Sequence, residues 1–212
     1  MLPTDSPSGW PDAAQLLMHT RQTILPKRLH APGPDEAQLH ALLAAAATAP
    51  DHDQLRPWRF VLVPDAQRLA LGEVFAQALR ERDPAATPEQ LEQAREKALR
   101  APLLLLLVVN ATCGDADIDL GERLISAGCA VQNLLLMATA QGFGSALTSG
   151  KALKSEALRE FFGLTADEHA PCFISVGTAH TRKPGRPRPQ PTELLKPLPH
   201  PPQSPDQAPT TA

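Results

Sequence analysis

Seven consecutive apolar residues, Leu103 to Val109, constrain the fold more than any other segment of this 212-residue chain. A bilayer span needs a much longer apolar run, so this one belongs inside a folded domain. Because side chains alternate between the two faces of a strand, such a run is apolar on both faces. It therefore predicts a central strand of a sheet that is covered by helices on each side.

Apolar spacing and turn residues predict the other elements of the domain. Shorter apolar runs indicate strands at 60–63, 145–149 and 172–177. Helical spacing indicates helices at about 12–20, 35–48, 65–81, 88–99, 121–141 and 155–162. Thr87 is a suitable N-cap for the fourth of these helices, since Pro88 follows it at the first helical position.

The helix predicted at 121–141 is apolar around much of its circumference, Ile125 included, which indicates that it is buried. Small residues along it would let another helix approach closely: Ser126, Ala127, Gly128 and Ala130. That other helix belongs either to the same subunit or to a second subunit across a dimer interface, and we favour the dimer.

Composition indicates one domain with proline-rich ends. Pro and Ser recur in residues 1–12, while Pro, Gln, Ser and Thr dominate residues 197–212. Such segments bury too little apolar surface to fold. We therefore expect a flexible N-terminal segment over 1–12, a domain over 13–196 and a disordered tail over 197–212.

The net charge of −3 and the pI of about 6.2 arise from basic and acidic residues that are interspersed. This pattern argues against nucleic acid or a membrane surface as a partner and favours a small molecule. The cysteines, Cys113, Cys129 and Cys172, lack metal-ligand spacing, so we expect reduced thiols in the cytoplasm. The N-terminal residues show no secretory signal pattern.

A loop rich in hydrogen-bonding groups, residues 49–57, joins the second predicted helix to the first predicted strand. Pro50 breaks the helix, and Pro57 should push Arg56 towards extended geometry. The loop carries donors and acceptors that suit a polar heterocycle, on Asp51, His52, Gln54 and Arg56. The alternative is a solvated connection that binds nothing.

Motifs for self-contained catalysis are missing from the sequence. Gly142-Phe143-Gly144 starts like a dinucleotide fingerprint, but Leu147 replaces the third glycine, so we expect these glycines to end the long helix. There is no nucleophile elbow, zinc-protease motif or Walker loop, and the histidines have no metal-ligand spacing. If the protein is an enzyme, a bound cofactor should carry the chemistry, and we assign no catalytic side chain and no metal.

Three segments together match a known pattern: Arg21 to Pro34, Ala49 to Trp58, and Gly142 to Gly150. In their order and spacing the chain resembles the FMN-dependent nitroreductase family, and within it the minimal, small-subunit NAD(P)H nitroreductases that carry Ala-Pro-Asp-His. The resemblance runs from Arg21 to about Arg188. It implies an α+β fold with a central mixed or antiparallel sheet flanked by helices. It also implies an intertwined homodimer that binds FMN in two pockets at its interface.

The resemblance assigns residues to both ends of the FMN. Arg21 would hold the phosphate, with Gln22 and Thr23 beside it, and Arg186 would return to the same phosphate with Arg188 as the alternative. A cation near flavin N1 and O2 would be Lys27 or Arg28, with a slight preference for Lys27. Further contacts would come from His52, Gln54 and Arg56 and from Leu147, Thr148 and Ser149. Gln141 and Gly142 would contact the nicotinamide donor, whereas Trp58 is predicted to pack in the core.

The implied function is that of a cytoplasmic NAD(P)H-dependent nitroreductase-type oxidoreductase. FMN would take hydride from NADH or NADPH at N5 and pass it, by ping-pong kinetics, to a small-molecule acceptor such as a nitroaromatic or a quinone. Two alternatives remain: a flavin-dependent dehydrogenase or dehalogenase on the same fold, and a non-enzymatic flavin-binding protein.

Overall fold

A computed structural model describes residues 9–181, 184–185 and 187–198. The chain divides into two units, one ending at residue 182 and the other beginning at residue 183. The first unit holds a four-stranded sheet with helices on both faces. The described part of the second unit holds one short helix, Pro191–Leu194.

The sheet contains strands β1 (Trp58–Leu62), β2 (Leu103–Asn110), β3 (Gly144–Thr148) and β4 (Glu168–Gly177). Their order is β1-β2-β4-β3, and every neighbouring pair is antiparallel. The predicted central strand is confirmed, because β2 lies inside the sheet and residues 103–109 are all buried. The last strand begins four residues before the predicted 172, at Glu168.

The helices of the first unit are α1 (Trp10–Thr20), α2 (Glu36–Ala46), α3 (Asp65–Arg82), α4 (Pro88–Glu96), α5 (Leu120–Ala140) and α6 (Glu156–Phe162). All six predicted helices are present, with ends that lie within three residues of the expected ones. Single 3-10 turns occupy Pro26–Arg28, His52–Gln54, Lys97–Leu99 and Lys151–Lys154.

Side-chain caps explain where four of the helices begin. Asp35, Thr87, Asp119 and Ser155 each accept a hydrogen bond from the backbone N–H three residues later. The predicted cap at Thr87 is therefore confirmed. At the other end of α5, Gly142 adopts φ +86° and the N–H of Phe143 donates to the carbonyl of Ala138 at 2.9 Å. The predicted role of Gly142 as a helix terminator is confirmed as well.

The two faces of β2 belong to two separate cores. Leu103, Leu105, Leu107 and Val109 pack in a cluster with side chains of α2 and α5. Leu104, Leu106 and Val108 pack on the opposite face in a cluster with side chains of α3 and α6. Strand alternation thus distributes one continuous apolar run between two layers of helices.

The small residues of α5 mostly serve packing within the subunit. Ala127 and Ala130 lie in the first core, and Ser126 is buried where it accepts a hydrogen bond from Trp58 Nε1 at 2.9 Å. Gly128 lies instead on an exposed face with Leu124 and Ile125, and Ile125 is 70% exposed. The expectation that Ile125 is buried is therefore wrong for the single chain, because only one side of α5 faces the core.

By length and composition α5 could cross a membrane, and within the described residues it is the one helix that could. Its buried side chains contact α2 and the sheet, as expected of a core helix.

Two interactions of charged groups tie distant elements together. Arg68 is 4% exposed, and its guanidinium donates to the carbonyls of Val63 and Ala98 at 2.8 and 2.9 Å. Burial lowers the pKa of Arg68, and these hydrogen bonds satisfy its buried donors. Arg59 on β1 forms an ion pair with Glu168 at the start of β4, two strands away. The hydrogen bond from Arg59 holds the pKa of the Glu168 carboxyl below its ordinary value.

We expect Glu168→Gln to destabilise the fold by about 1–2 kcal/mol at neutral pH, because it leaves Arg59 without its charged partner. A carboxyl with a depressed pKa stabilises the native state above its unfolded-state pKa, and that contribution is lost as pH falls through the native pKa. The difference between wild type and variant should therefore shrink in acid. Urea denaturation at several pH values measures this difference in unfolding free energy. A difference that grows on acidification would contradict the stabilising role of the ionised Glu168.

Candidate active site

A first cavity lies where α3, α4 and the turn after β3 meet, and it has a volume of about 410 Å³. Its floor is apolar, with Leu104 and Phe173 from the sheet and Phe75 and Leu79 from α3. Volumes of this order are typical of sites for small molecules and cofactors. A flat aromatic ring could lie on such a floor.

The polar groups of this cavity are cations and hydroxyls. The cations are Arg82, Lys97, Arg100 and Lys151, and the hydroxyls are Thr148, Ser149 and Ser175. The described residues that line it include no carboxylate. This set of donors suits a ligand that joins an aromatic heterocycle to an anionic group, and FMN is such a ligand.

The predicted phosphate-binding segment runs alongside β3 towards this cavity. Thr23 forms a parallel bridge with Ser145, and the N–H of Ile24 donates to the Ser145 carbonyl at 2.9 Å. Leu25 and Pro26 then line the cavity. Arg21 and Gln22 come just before the bridge, at the end of α1. The structure therefore brings the segment from residue 21 to residue 26 to the same edge of the sheet as Thr148 and Ser149.

Lys27 and Arg28 occupy the 3-10 turn that follows, and neither is among the described residues that line the cavity. Lys97 and Arg100, which do line it, were not identified from the sequence. The available signal was their position at the end of the fourth predicted helix, directly before the central strand.

The second cavity, of about 360 Å³, lies between the loop that follows α2 and the start of α5. Asp51, His52, Glu122 and Ser126 are among its lining residues, and it shares no described lining residue with the first cavity. His52 Nδ1 lies 2.6 Å from Glu122 Oε1. This hydrogen bond, together with the charge of Glu122, raises the pKa of His52.

The loop has an unusual backbone that the sequence did not predict. Asp53, Gln54 and Arg56 have φ of +49°, +55° and +51°, so the extended geometry expected for Arg56 is wrong. Asp51 Oδ2 accepts the N–H of Arg56 at 2.7 Å, which closes the loop and outweighs the preference imposed by Pro57. Non-glycine residues in this region are strained, and such strain concentrates at functional sites. His52, Gln54 and Arg56 are all exposed.

Arg123 holds the wall behind this loop. It is 1% exposed and donates to the carbonyls of Ile118, Cys113 and Asp115 at 2.9, 2.7 and 2.6 Å. These hydrogen bonds order the segment before α5. Gly114 in that segment packs closely against Leu55 of the loop, since a Cβ at position 114 would lie 2.3 Å from Leu55 Cδ1. Glu122 and Arg123 were both missed from the sequence, although Asp119 three residues before Glu122 marks a helix start.

A third, open groove of about 760 Å³ shares Ser149, Gly150, Lys151 and Leu153 with the first cavity. Its opposite wall includes Leu120 and Leu124 of α5. Since Ile125 lines the second cavity, the exposed face of α5 separates the loop with His52 from the turn with Ser149.

Other predicted contacts stay predictions. Leu147 is 44% exposed on β3, next to Thr148. Gln141 donates from Nε2 to the Gln38 carbonyl at 3.4 Å, and its Oε1 is buried without a hydrogen-bond partner in the described part of the chain. Arg186 lies outside the described residues, and Arg188 belongs to the second unit. The three cysteines are free thiols.

The antiparallel sheet between two helical layers is a nitroreductase-like α+β fold, as its similarity to solved structures of that kind shows. The chain belongs to the nitroreductase family, whose sequence model matches residues 20–178. The predicted family and fold are thereby confirmed. Family membership also makes the protein an oxidoreductase.

Similar proteins agree with this assignment. A Haemophilus influenzae protein named "Putative NAD(P)H nitroreductase" is 34% identical over 165 residues, 78% of this chain and 88% of that protein. A nitroreductase-like family protein from Bacillus cereus aligns with a TM-score of 0.75 at 19% identity, over 93% of this chain and 99% of the other. A "putative nitroreductase in complex with FMN" from Desulfovibrio desulfuricans aligns with a TM-score of 0.66 at 21% identity, over 93% and 100% of the two chains.

We expect Arg123→Met to cost about 3 kcal/mol of unfolding free energy, because three carbonyls would lose their buried donor. Arg80→Met, on the exposed side of α3, is the matched control and should change stability by less than about 0.5 kcal/mol. Chemical denaturation measures both variants. Equal effects would show that the Arg123 guanidinium does not organise this wall.

Proposed function

We propose that the protein is an FMN-dependent NAD(P)H oxidoreductase that acts as a homodimer on a small-molecule acceptor, such as a nitroaromatic or a quinone. One observation carries the proposal: the first cavity combines an apolar floor with four cationic side chains and includes Thr148 and Ser149. It is supported by the family and by a similar fold that binds FMN in the Desulfovibrio desulfuricans protein.

Residues from several distant parts of the chain would hold the cofactor. Phe75, Leu79 and Phe173 provide the apolar surface for the ring. Lys97 begins the 3-10 turn after α4, and Arg100 directly follows that turn. We favour Lys97 over Lys27 as the cation nearest the pyrimidine edge. Arg21 and Thr23 would reach the phosphate, because their segment runs beside β3 to this cavity.

A second copy would supply the loop that carries His52. His52 and Gln54 are exposed, and within one chain His52 lines a different cavity from Ser149. The exposed apolar face of α5 lies between these cavities. If two copies paired that face around a two-fold axis, the loop of each would approach the Ser149 turn of the other. A site shared in this way requires the dimer.

When bound, FMN would supply the chemistry of two-electron transfer from NADH or NADPH to the second substrate. The protein contributes preorganisation. A fixed cation such as Lys97 stabilises negative charge that develops beside it, and the apolar walls exclude water and strengthen that interaction. No side chain is assigned as acid or base, so the proton would come from water. We place the reaction in the cytoplasm.

The test is to titrate FMN into the purified protein and then to add NADH or NADPH without oxygen. We expect the flavin fluorescence to change on binding and the flavin absorbance to bleach with one or both donors. A protein that never binds FMN would contradict the proposal. Binding without bleaching by either donor would favour the non-enzymatic alternative.

The preferred cation is tested by Lys97→Met with Lys27→Met as the matched control. Losing a charge-assisted contact of about 1–2 kcal/mol weakens FMN binding about five- to thirtyfold, and we expect this of Lys97→Met alone. Fluorescence titration gives both dissociation constants. The reverse order of effects would restore Lys27 as the residue that faces the ring.

A further inference from the structure

His52 and Glu122 form the closest side-chain pair at the edge of the second cavity, with 2.6 Å between Nδ1 and Oε1. This separation is that of a short, charge-assisted hydrogen bond. Both side chains are about half exposed, at 52% and 50%. The pair joins the strained loop to the first turn of α5.

Glu122 is the anchored member of the pair. Its backbone N–H donates to the N-cap side chain of Asp119 at 2.9 Å, so its position in the first turn of α5 is well defined. The helix dipole favours a negative charge in that turn. A fixed anion therefore faces His52 Nδ1.

This contact determines which nitrogen of His52 is available. With Nδ1 engaged, Nε2 remains for a ligand, since Asp53 Oδ2 lies 3.9 Å from it and is too far for a hydrogen bond. In the imidazolium both nitrogens carry protons, so Nε2 would be a donor. The loop thereby presents a directed N–H rather than a freely rotating ring.

The charged groups around His52 favour its protonated form. Asp51 and Asp53 belong to the same loop, Asp115 lies on the segment before α5, and Glu122 lies on α5. Arg123, the cation that lines the same cavity, turns its guanidinium to backbone carbonyls. The pKa of His52 is accordingly raised, mainly by the hydrogen bond to Glu122.

We infer that Glu122 is a positioning residue that orients His52 so that Nε2–H is presented as a hydrogen-bond donor to the FMN bound by a second copy of the chain. The inference rests on the proposed function. It adds that the donor works while His52 is protonated and depends on Glu122, which touches no cofactor.

The first experiment needs no cofactor. The pKa of His52 is measured from its ring C–H signals by NMR in the FMN-free dimer, and His52→Gln identifies the signal. Glu122→Gln keeps the size and an oxygen acceptor but removes the charge, so the pKa should fall towards the ordinary value of 6.5. Glu36→Gln, in the first turn of α2, is the matched control and should leave it unchanged.

The second experiment measures FMN affinity against pH. In the wild type, affinity should decline as pH rises through the raised pKa of His52, whereas in Glu122→Gln the decline should start at lower pH. Between the two pKa values the variant should bind FMN about fivefold more weakly. In a His52→Gln background, Glu122→Gln should have no further effect, since the coupling acts through the ring.

An unchanged His52 pKa in Glu122→Gln overturns the inference, and so does a shifted pKa with identical FMN affinities at every pH. If neither the wild type nor any variant binds FMN, the proposed function fails and the inference fails with it. The NMR result then still shows whether the pair forms, so the two failures are distinguishable.

Discussion

The structure depends on the burial of β2 on both faces. A strand whose side chains are apolar on each side is stable only if helices cover both faces, so α2 and α5 lie on one face and α3 and α6 on the other. This arrangement sets the ends of the neighbouring elements. The 3-10 turn after α4 leads directly into β2, and β3 pairs beside β4 at the edge. The first cavity forms where these ends meet.

Two kinds of electrostatic environment occupy opposite sides of the exposed face of α5. Around the first cavity and the third groove, the charged residues in the described lining are lysines and arginines. The second cavity carries Asp51 and Glu122 beside His52. A homodimer with paired α5 faces would set a cationic wall opposite a loop that is held by anions. That complementarity would give a physical reason for the proposed division of one site between two chains.

Most of the fold could be predicted because its signals are local. Apolar periodicity, a cap such as Thr87 and a terminator such as Gly142 act within a few residues of the element that they define. The candidate site could be predicted from the sequence less completely. Thr148 and Ser149 line the expected kind of cavity, but Lys97 and Arg100 reach it from a different part of the chain. Sequence spacing cannot reveal such neighbours, because they meet only after α4 packs beside the sheet.

The backbone of Arg56 shows the same limit at a single residue. A following proline biases its geometry locally, yet Arg56 adopts φ +51° in a loop that is closed by the hydrogen bond from its N–H to Asp51. The amino-acid order thus specified the central strand and the helices, because those follow from short-range periodicity. It indicated the family through the resemblance of three segments to a known pattern. Which cations line the cavity, and which nitrogen of His52 faces outward, follows from packing between distant segments, because contacts such as His52–Glu122 exist only in the folded chain.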